Sequence, residues 1–190
     1  MKKPKSKEIF VVLVVAVIVF SALIYFVNFQ KNRNSNSGTT ITTTPIEAQK
    51  TSADIIPKQA DVLQWSLADM QSITLNSQGF IEGSKARFSR KDGVAAIVSR
   101  VEVYNFEKNE NAGEFYNNEV ESEKLSGYTE SNISYDIECY ANSLYQNEIS
   151  RYNLHCHKGN VYFHIGIVGD KVQDSSKYVS EFFDVIKSKL

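Results

Sequence analysis

The sequence predicts an α+β protein in which a transmembrane helix precedes one small domain. Three features support this prediction: a long uncharged apolar run near the N-terminus, segments with apolar residues at helical spacing, and alternating β-rich runs separated by turn signals. After the transmembrane helix, the predicted elements follow the order α-β-β-α-β-β-β-α. We therefore expect a largely antiparallel sheet of five to six strands, packed by two or three helices.

The apolar run covers residues 9–29 and contains no charged side chain. A helix of about 20 such residues crosses a hydrocarbon core of about 30 Å, so the run predicts a single transmembrane helix through which the protein binds the membrane. A cleaved signal peptide is the alternative, but its apolar core is shorter, about 7–15 residues, and small residues mark its cleavage site. Bulky residues such as Tyr25 and Phe26 occupy the end of this run instead.

Charges on either side of the run predict its orientation. Four lysines precede it, whereas Lys31 and Arg33 follow it, and lysine and arginine favour the cytoplasmic side. Residues 1–8 are therefore predicted to be the cytoplasmic basic N-terminus of a single-pass protein of the cell membrane. Residues 30–57 are rich in Ser, Thr and Asn and predict a flexible tether. Residues 58–190 are predicted to form an extracytoplasmic α+β domain.

The elements of this domain follow from residue spacing and turn residues. Apolar spacing predicts helices over 58–70 and 109–125, and a C-terminal helix that Asp174 caps. Alternation predicts strands over 85–90, 94–106, 133–141, 149–157 and 161–168, with turns at Asp92-Gly93 and Gly159-Asn160. The order of these elements resembles that of small secreted domains of the Mog1 and PsbP families. That resemblance implies a fold and no function.

The two cysteines are predicted to form a disulfide bond. If the first C-terminal hairpin turns about Asn147 and Glu148, Cys139 lies directly opposite Cys156, where Cβ atoms are about 4.5–5.5 Å apart. Two free buried thiols are the alternative. A disulfide bond is typical of an oxidising, exported location. In such a location the Asn-Ile-Ser sequence at Asn132 also predicts N-glycosylation, provided that the host cell modifies exported proteins.

All three histidines of the chain are predicted to lie on one face of the second hairpin. A turn at Gly159-Asn160 places His164 across from His155, with His157 two residues along the same strand and Glu138 on the neighbouring strand. Three imidazoles and a carboxylate suit Zn or Cu, so these four residues are the candidate metal ligands. If a helix covers this face, the histidines are instead packed and hydrogen-bonded.

Charge and motifs decide between classes of function. From residue 60 onward there are thirteen Lys and Arg against nineteen Asp and Glu, a net charge of minus six that argues against nucleic acid as a partner. The sequence holds no Gly-rich phosphate loop, no Gly-x-Ser-x-Gly and no His-Glu-x-x-His motif. We therefore expect a membrane-anchored, extracytoplasmic, non-catalytic binding module with a protein or small-molecule partner, and no cofactor. A Zn- or Cu-binding domain and an enzyme of unrecognised class are the alternatives.

Overall fold

The computed structural model describes residues 50–124, 126–131, 134–172 and 174–190, which form three α-helices and one seven-stranded antiparallel sheet. The helices are α1 (Ser52–Ile55), α2 (Asn109–Lys124) and α3 (Val179–Lys189), with short 3₁₀ turns at Gln59–Asp61 and Ser176–Tyr178. The strands are β1 (Ser66–Ile73), β2 (Phe80–Asp92), β3 (Ala95–Phe106), β4 (Thr129–Glu130), β5 (Glu138–Gln146), β6 (Ile149–Lys158) and β7 (Val161–Asp170). Across the sheet the strands lie in the order β1-β2-β3-β7-β6-β5-β4.

The α+β class is confirmed, but the sheet has seven strands in the described residues rather than five or six. One added strand is the two-residue β4, and the other is β1, which begins within the predicted helix over 58–70. Val62 and Trp65 are spaced like helical residues and both are buried, yet they lie on a single turn closed by the bond from the Trp65 amide to the Val62 carbonyl. The chain then extends and pairs with β2, so the predicted helix is wrong beyond this turn.

One face of the sheet, here called the core face, packs against α1 and α3. Helix α3, which the apolar spacing predicts at the C-terminus, buries Val179, Phe182, Phe183 and Ile186 against it. The predicted cap by Asp174 is wrong, because the N-cap residue of α3 is Tyr178 and that of the preceding 3₁₀ turn is Ser175, neither with a side-chain cap bond. The Asp174 carboxylate instead accepts a bond from the Ser176 amide at 2.8 Å, two residues along the chain.

The opposite face, here called the histidine face, is covered in part by α2. Ala112, Tyr116 and Val120 of this helix pack against Tyr140 and Tyr162 of the sheet in a second, smaller apolar cluster. Helices therefore lie on both faces, and the sheet forms the middle of three layers. The half of the histidine face that α2 does not cover stays open to solvent.

The predicted N-terminal regions lie largely outside the described residues. The structure does not describe residues 1–8, the predicted transmembrane helix over 9–29 or most of the predicted tether. Within the described part of the chain, no helix combines the length and the apolar character that a membrane crossing needs. The described end of the predicted tether is packed, since Ser52, Ile55 and Ile56 are buried and the Ser52 hydroxyl bonds that of Ser84 at 2.9 Å. The folded region therefore begins before residue 58.

Candidate functional site

The register of β5, β6 and β7 agrees with the sequence prediction residue by residue. Asn147 and Glu148 form the two-residue turn between β5 and β6, both with positive φ, and Cys139 lies directly opposite Cys156. The two cysteines form a disulfide bond with a Cα–Cα distance of 4.2 Å. In the next hairpin His155 lies opposite His164. Both predicted registers and the predicted disulfide are confirmed.

His155 lies deep under α2 and is 2% exposed. Its Nδ1 is 2.7 Å from the Tyr162 hydroxyl, and its ring stacks on that of His164 with centroids 4.5 Å apart. Burial, followed by the nearby charge of His164, lowers the pKa of His155 to about 3. The ring is therefore neutral at neutral pH, and its Nε2 is buried without a hydrogen-bond partner among the described residues.

His164 is bound to a buried carboxylate that the sequence reasoning missed. Its Nδ1 is 3.2 Å from Oε2 of Glu102, whose other oxygen accepts a bond from the Arg100 guanidinium at 2.6 Å. Burial acts to raise the pKa of Glu102, but the bonds to His164 and Arg100 outweigh it and lower that pKa to about 2. Glu102 thus stays ionised beneath the surface. Its one visible sequence signal is that it and Arg100 are the two charged residues of a largely apolar β-rich run.

His157 lies apart from the stacked histidine pair. Its Nδ1 is 3.6 Å from Oε2 of Glu138, and its ring stacks against that of Tyr116 on α2 with centroids 6.0 Å apart. In the parts of the chain that the structure describes, no three His, Cys, Asp or Glu side chains are placed to hold one metal ion. The positions of His155, His157, His164 and Glu138 therefore do not support the Zn or Cu prediction. His155 and His164 stack on each other with their Nδ1 atoms facing Tyr162 and Glu102, whereas His157 lies apart beside Glu138.

Helix α2 adds two carboxylates to this buried polar region. Glu123 accepts bonds from the amides of Asn142 and Asn153 at 3.1 and 3.3 Å. Glu119 lies near His164, and burial, reinforced by the charges of Glu102 and Glu123, raises its pKa. The helix is thus held over the sheet by polar bonds as well as by its apolar cluster.

The open half of the histidine face holds a cleft between β1, β2 and β3 that the sequence reasoning did not find. It has a volume of about 360 Å³, and six residues line it: Asp69, Gln71, Lys85, Ala86, Arg87 and Arg100. Arg87 and Arg100 lie directly opposite each other in the register of β2 and β3. The predicted turn at Asp92-Gly93 would have paired Arg87 with Val98 instead, because the turn in the structure lies one residue later and pairs Asp92 with Ala95.

The predicted glycosylation residue, Asn132, lies outside the described residues. No protein-family model matches the chain, and no curated protein matches it either. Among solved structures, the chain is similar to the extracellular domain of PknH from Mycobacterium tuberculosis. That similarity has a TM-score of 0.48 and 8% sequence identity, covering 74% of this chain and 89% of that one. A likeness this weak supports no conclusion about this chain.

Proposed function

We propose that this protein is a membrane-anchored module whose extracytoplasmic domain binds a ligand and does not act as an enzyme. The observation that carries the location is the disulfide bond between Cys139 and Cys156. Structural disulfides persist in oxidising compartments and are rare where thiols are kept reduced. In this proposal, residues 9–29 supply the membrane span and the domain lies on the outer side.

The proposed ligand surface is the cleft on the open half of the histidine face. It is concave, four of its six lining residues are charged, and it lies on the edge strand β1 and its neighbours β2 and β3. Its volume falls within the range of about 300–1,000 Å³ that is usual for small-molecule sites. The histidines suit a structural role better, since His155 is 2% exposed under α2 and out of reach of a substrate.

The location is tested with the intact chain in its own cells. A protease added to whole cells is expected to digest a tag at the C-terminus and to leave a tag at the N-terminus intact. The protein extracted without reductant should weigh two daltons less than after reduction, because one disulfide replaces two thiols. A protected C-terminal tag, or two free thiols in the extracted protein, would contradict the proposed location.

Binding is tested with a cleft variant and a matched control. Arg151 is an exposed arginine on β6 that does not line the cleft, so Arg151→Gln removes the same charge as Arg87→Gln elsewhere on the histidine face. The intact protein is purified from its membranes, and co-purifying small molecules are identified by mass spectrometry. We expect a ligand that is retained by the wild type and by Arg151→Gln and lost from Arg87→Gln. Equal retention by all three proteins would exclude the cleft as the binding surface.

A further inference from the structure

We propose that the cleft binds the carboxylate group of a small ligand, held between Arg87 and Arg100 with Lys85 at its side. This inference rests on the proposed binding function and specifies the chemistry of the ligand. It starts from the charges of the cleft, which differ from those of the domain around it. Three of the six lining residues are cations, although the chain from residue 60 onward has a net charge of minus six.

The two arginines form a cross-strand pair of like charges. Arg87 and Arg100 lie directly opposite each other on β2 and β3, where like charges destabilise the pairing of strands. Each is held by a carboxylate, on β1 for Arg87 and two residues along β3 for Arg100. Arg87 donates to Asp69 at 3.0 Å, and Arg100 donates to Glu102 at 2.6 Å. An anion bound between them would relieve the repulsion without moving either side chain.

Each arginine keeps donors for such an anion. A guanidinium has five N–H donors, and the bonds to Asp69 and Glu102 each use one. The side chains of Arg87 and Arg100 are 59% and 61% exposed, so a ligand in solution can reach them. The flat fork of a guanidinium matches a carboxylate with two parallel bonds, and this match favours a carboxylate over a chloride-like ion.

Glu102 holds the Arg100 side chain in one position whether or not a ligand is bound. Its side chain is 9% exposed, and its second oxygen is fixed by His164. A buried carboxylate that is bonded on both oxygens cannot follow its partner into solvent, so Arg100 is oriented before a ligand arrives. Lys85 lies directly opposite Glu102 on β2 and forms no ion pair within the described residues, which leaves its ammonium group available to the same anion.

The size of the cleft limits the ligand to a small molecule. About 360 Å³ accommodates a short organic acid but not a folded partner. The site is open and its cations are exposed, so salt and water weaken each contact. We therefore expect a dissociation constant in the millimolar range for a minimal probe that has only the carboxylates.

The test is calorimetric titration of the full-length protein in a nonionic detergent, with succinate as the probe and its uncharged diamide, succinamide, as the control. Succinate is expected to bind and succinamide is not. Arg87→Gln should weaken succinate binding at least tenfold, whereas Arg151→Gln should leave it unchanged. Thermal unfolding of both variants verifies that the exposed substitutions have left the fold intact.

Three results would overturn the carboxylate assignment. They are no heat of binding with succinate, equal binding of succinamide, and inorganic phosphate binding as tightly as succinate. Each of them leaves the proposed function standing if the purified protein still retains a ligand that Arg87→Gln loses. If no ligand is retained at all while succinate binds as expected, the proposed function fails and the carboxylate site remains.

Discussion

At the scale of single residues, one row of titratable side chains crosses the sheet. Lys85, Glu102, His164 and His155 lie directly opposite one another on β2, β3, β7 and β6. The row begins in the open cleft and ends under α2. Glu102 and His155 are buried and the side chain of His164 between them is 17% exposed, so the charge of Glu102 is balanced by its neighbours rather than by water. The buried end of the row makes stability depend on pH in a way that can be measured.

We predict that His155 makes the protein less stable as the pH falls from 6.5. The pKa of His155 is about 3 in the folded protein, against 6.5 for an ordinary histidine. Between these values the unfolded chain binds a proton that the folded protein does not, so the free energy of unfolding rises with pH by up to about 1.4 kcal/mol per unit. From pH 6.5 down to pH 4.5 the loss is about 2 kcal/mol, and the slope that His155 contributes fades out within about one unit above pH 6.5.

Replacement of His155 by Gln checks this prediction, because glutamine keeps a hydrogen-bonding group but does not titrate. Urea unfolding is measured at half-unit steps between pH 4.5 and 7.5. The measurements stop at pH 4.5 because Glu102 also makes the free energy of unfolding depend on pH. Its pKa is lowered to about 2, so its contribution to stability is lost only as the pH falls below the usual pKa of a glutamate. The variant is expected to show a flatter curve than the wild type below pH 6.5. Parallel curves would mean that His155 is protonated in the folded protein.

At the scale of elements, the turn between β5 and β6 carries strain that a substitution can remove. Asn147 and Glu148 have φ angles of 53° and 62°. This region suits glycine and tolerates asparagine, but it costs other residues about 1–2 kcal/mol. Asn-Gly is the preferred pair for a two-residue hairpin turn. Glu148→Gly is therefore expected to stabilise the protein by about 1 kcal/mol in thermal or urea unfolding.

The control for this prediction is Glu148→Ala, which removes the same carboxylate but leaves a Cβ atom in the left-handed region. It should not stabilise the protein. Equal gains in both variants would assign the effect to the lost charge instead of the backbone.

The disulfide bond links the same two strands, and its contribution can be measured separately. It closes a loop with a sequence separation of 17 residues, for which chain-entropy arguments give about 3 kcal/mol. The double variant Cys139→Ala and Cys156→Ala should lose about this amount in urea unfolding. Reductant should destabilise the wild type by a similar amount and leave the double variant unaffected. A wild type that reductant does not change would show that the bond is absent from the purified protein.

Each element could be predicted to the extent that nearby residues, such as those of a short turn, determine its structure. Both C-terminal hairpins have short turns, at Asn147-Glu148 and Gly159-Asn160, and a short turn fixes the register of a whole hairpin. Strand β1 has no such signal. Its sequence contains few β-branched residues, and it becomes a strand because it pairs with the exposed edge of β2.

The candidate site shows the same limit. Register placed His155, His157 and His164 on one face correctly, but it cannot show which helix covers that face or which way each ring turns. Tyr162 and Glu102 decide the direction of two of these rings, and both come from contacts across strands. The same register argument would have missed the arginine pair of the cleft, because the turn lies one residue after the predicted Asp92-Gly93 and such a shift changes the cross-strand partner of Arg87 from Val98 to Arg100.

At the scale of the whole molecule, the first residues of the folded region hold its layers together. Helix α1 packs on the core face, and Ile55 and Ile56 are almost fully buried there. Its start is tied to β2 and β3 through Glu82, which accepts bonds from the Ser52 amide at 2.6 Å and from Asn105 at 2.9 Å. The boundary of the domain therefore has consequences for its stability.

We predict that a chain beginning at Lys50 and exported to an oxidising compartment is recovered outside the membrane fraction as a folded, disulfide-bonded domain, whereas a chain beginning at Lys58 is strongly destabilised. The shorter chain lacks Ile55 and Ile56, and removal of one buried isoleucine side chain costs about 2–5 kcal/mol. It also leaves Glu82 without the Ser52 amide.

Urea unfolding of the two chains measures this difference. The double substitution Ile55→Ala and Ile56→Ala in the longer chain is the control, and it separates the loss of packing from the loss of chain length. Equal stability of the chains that begin at residues 50 and 58 would show that α1 does not belong to the cooperative fold. A chain from Lys50 that still sediments with membranes would show that residues 1–49 are not the only anchor.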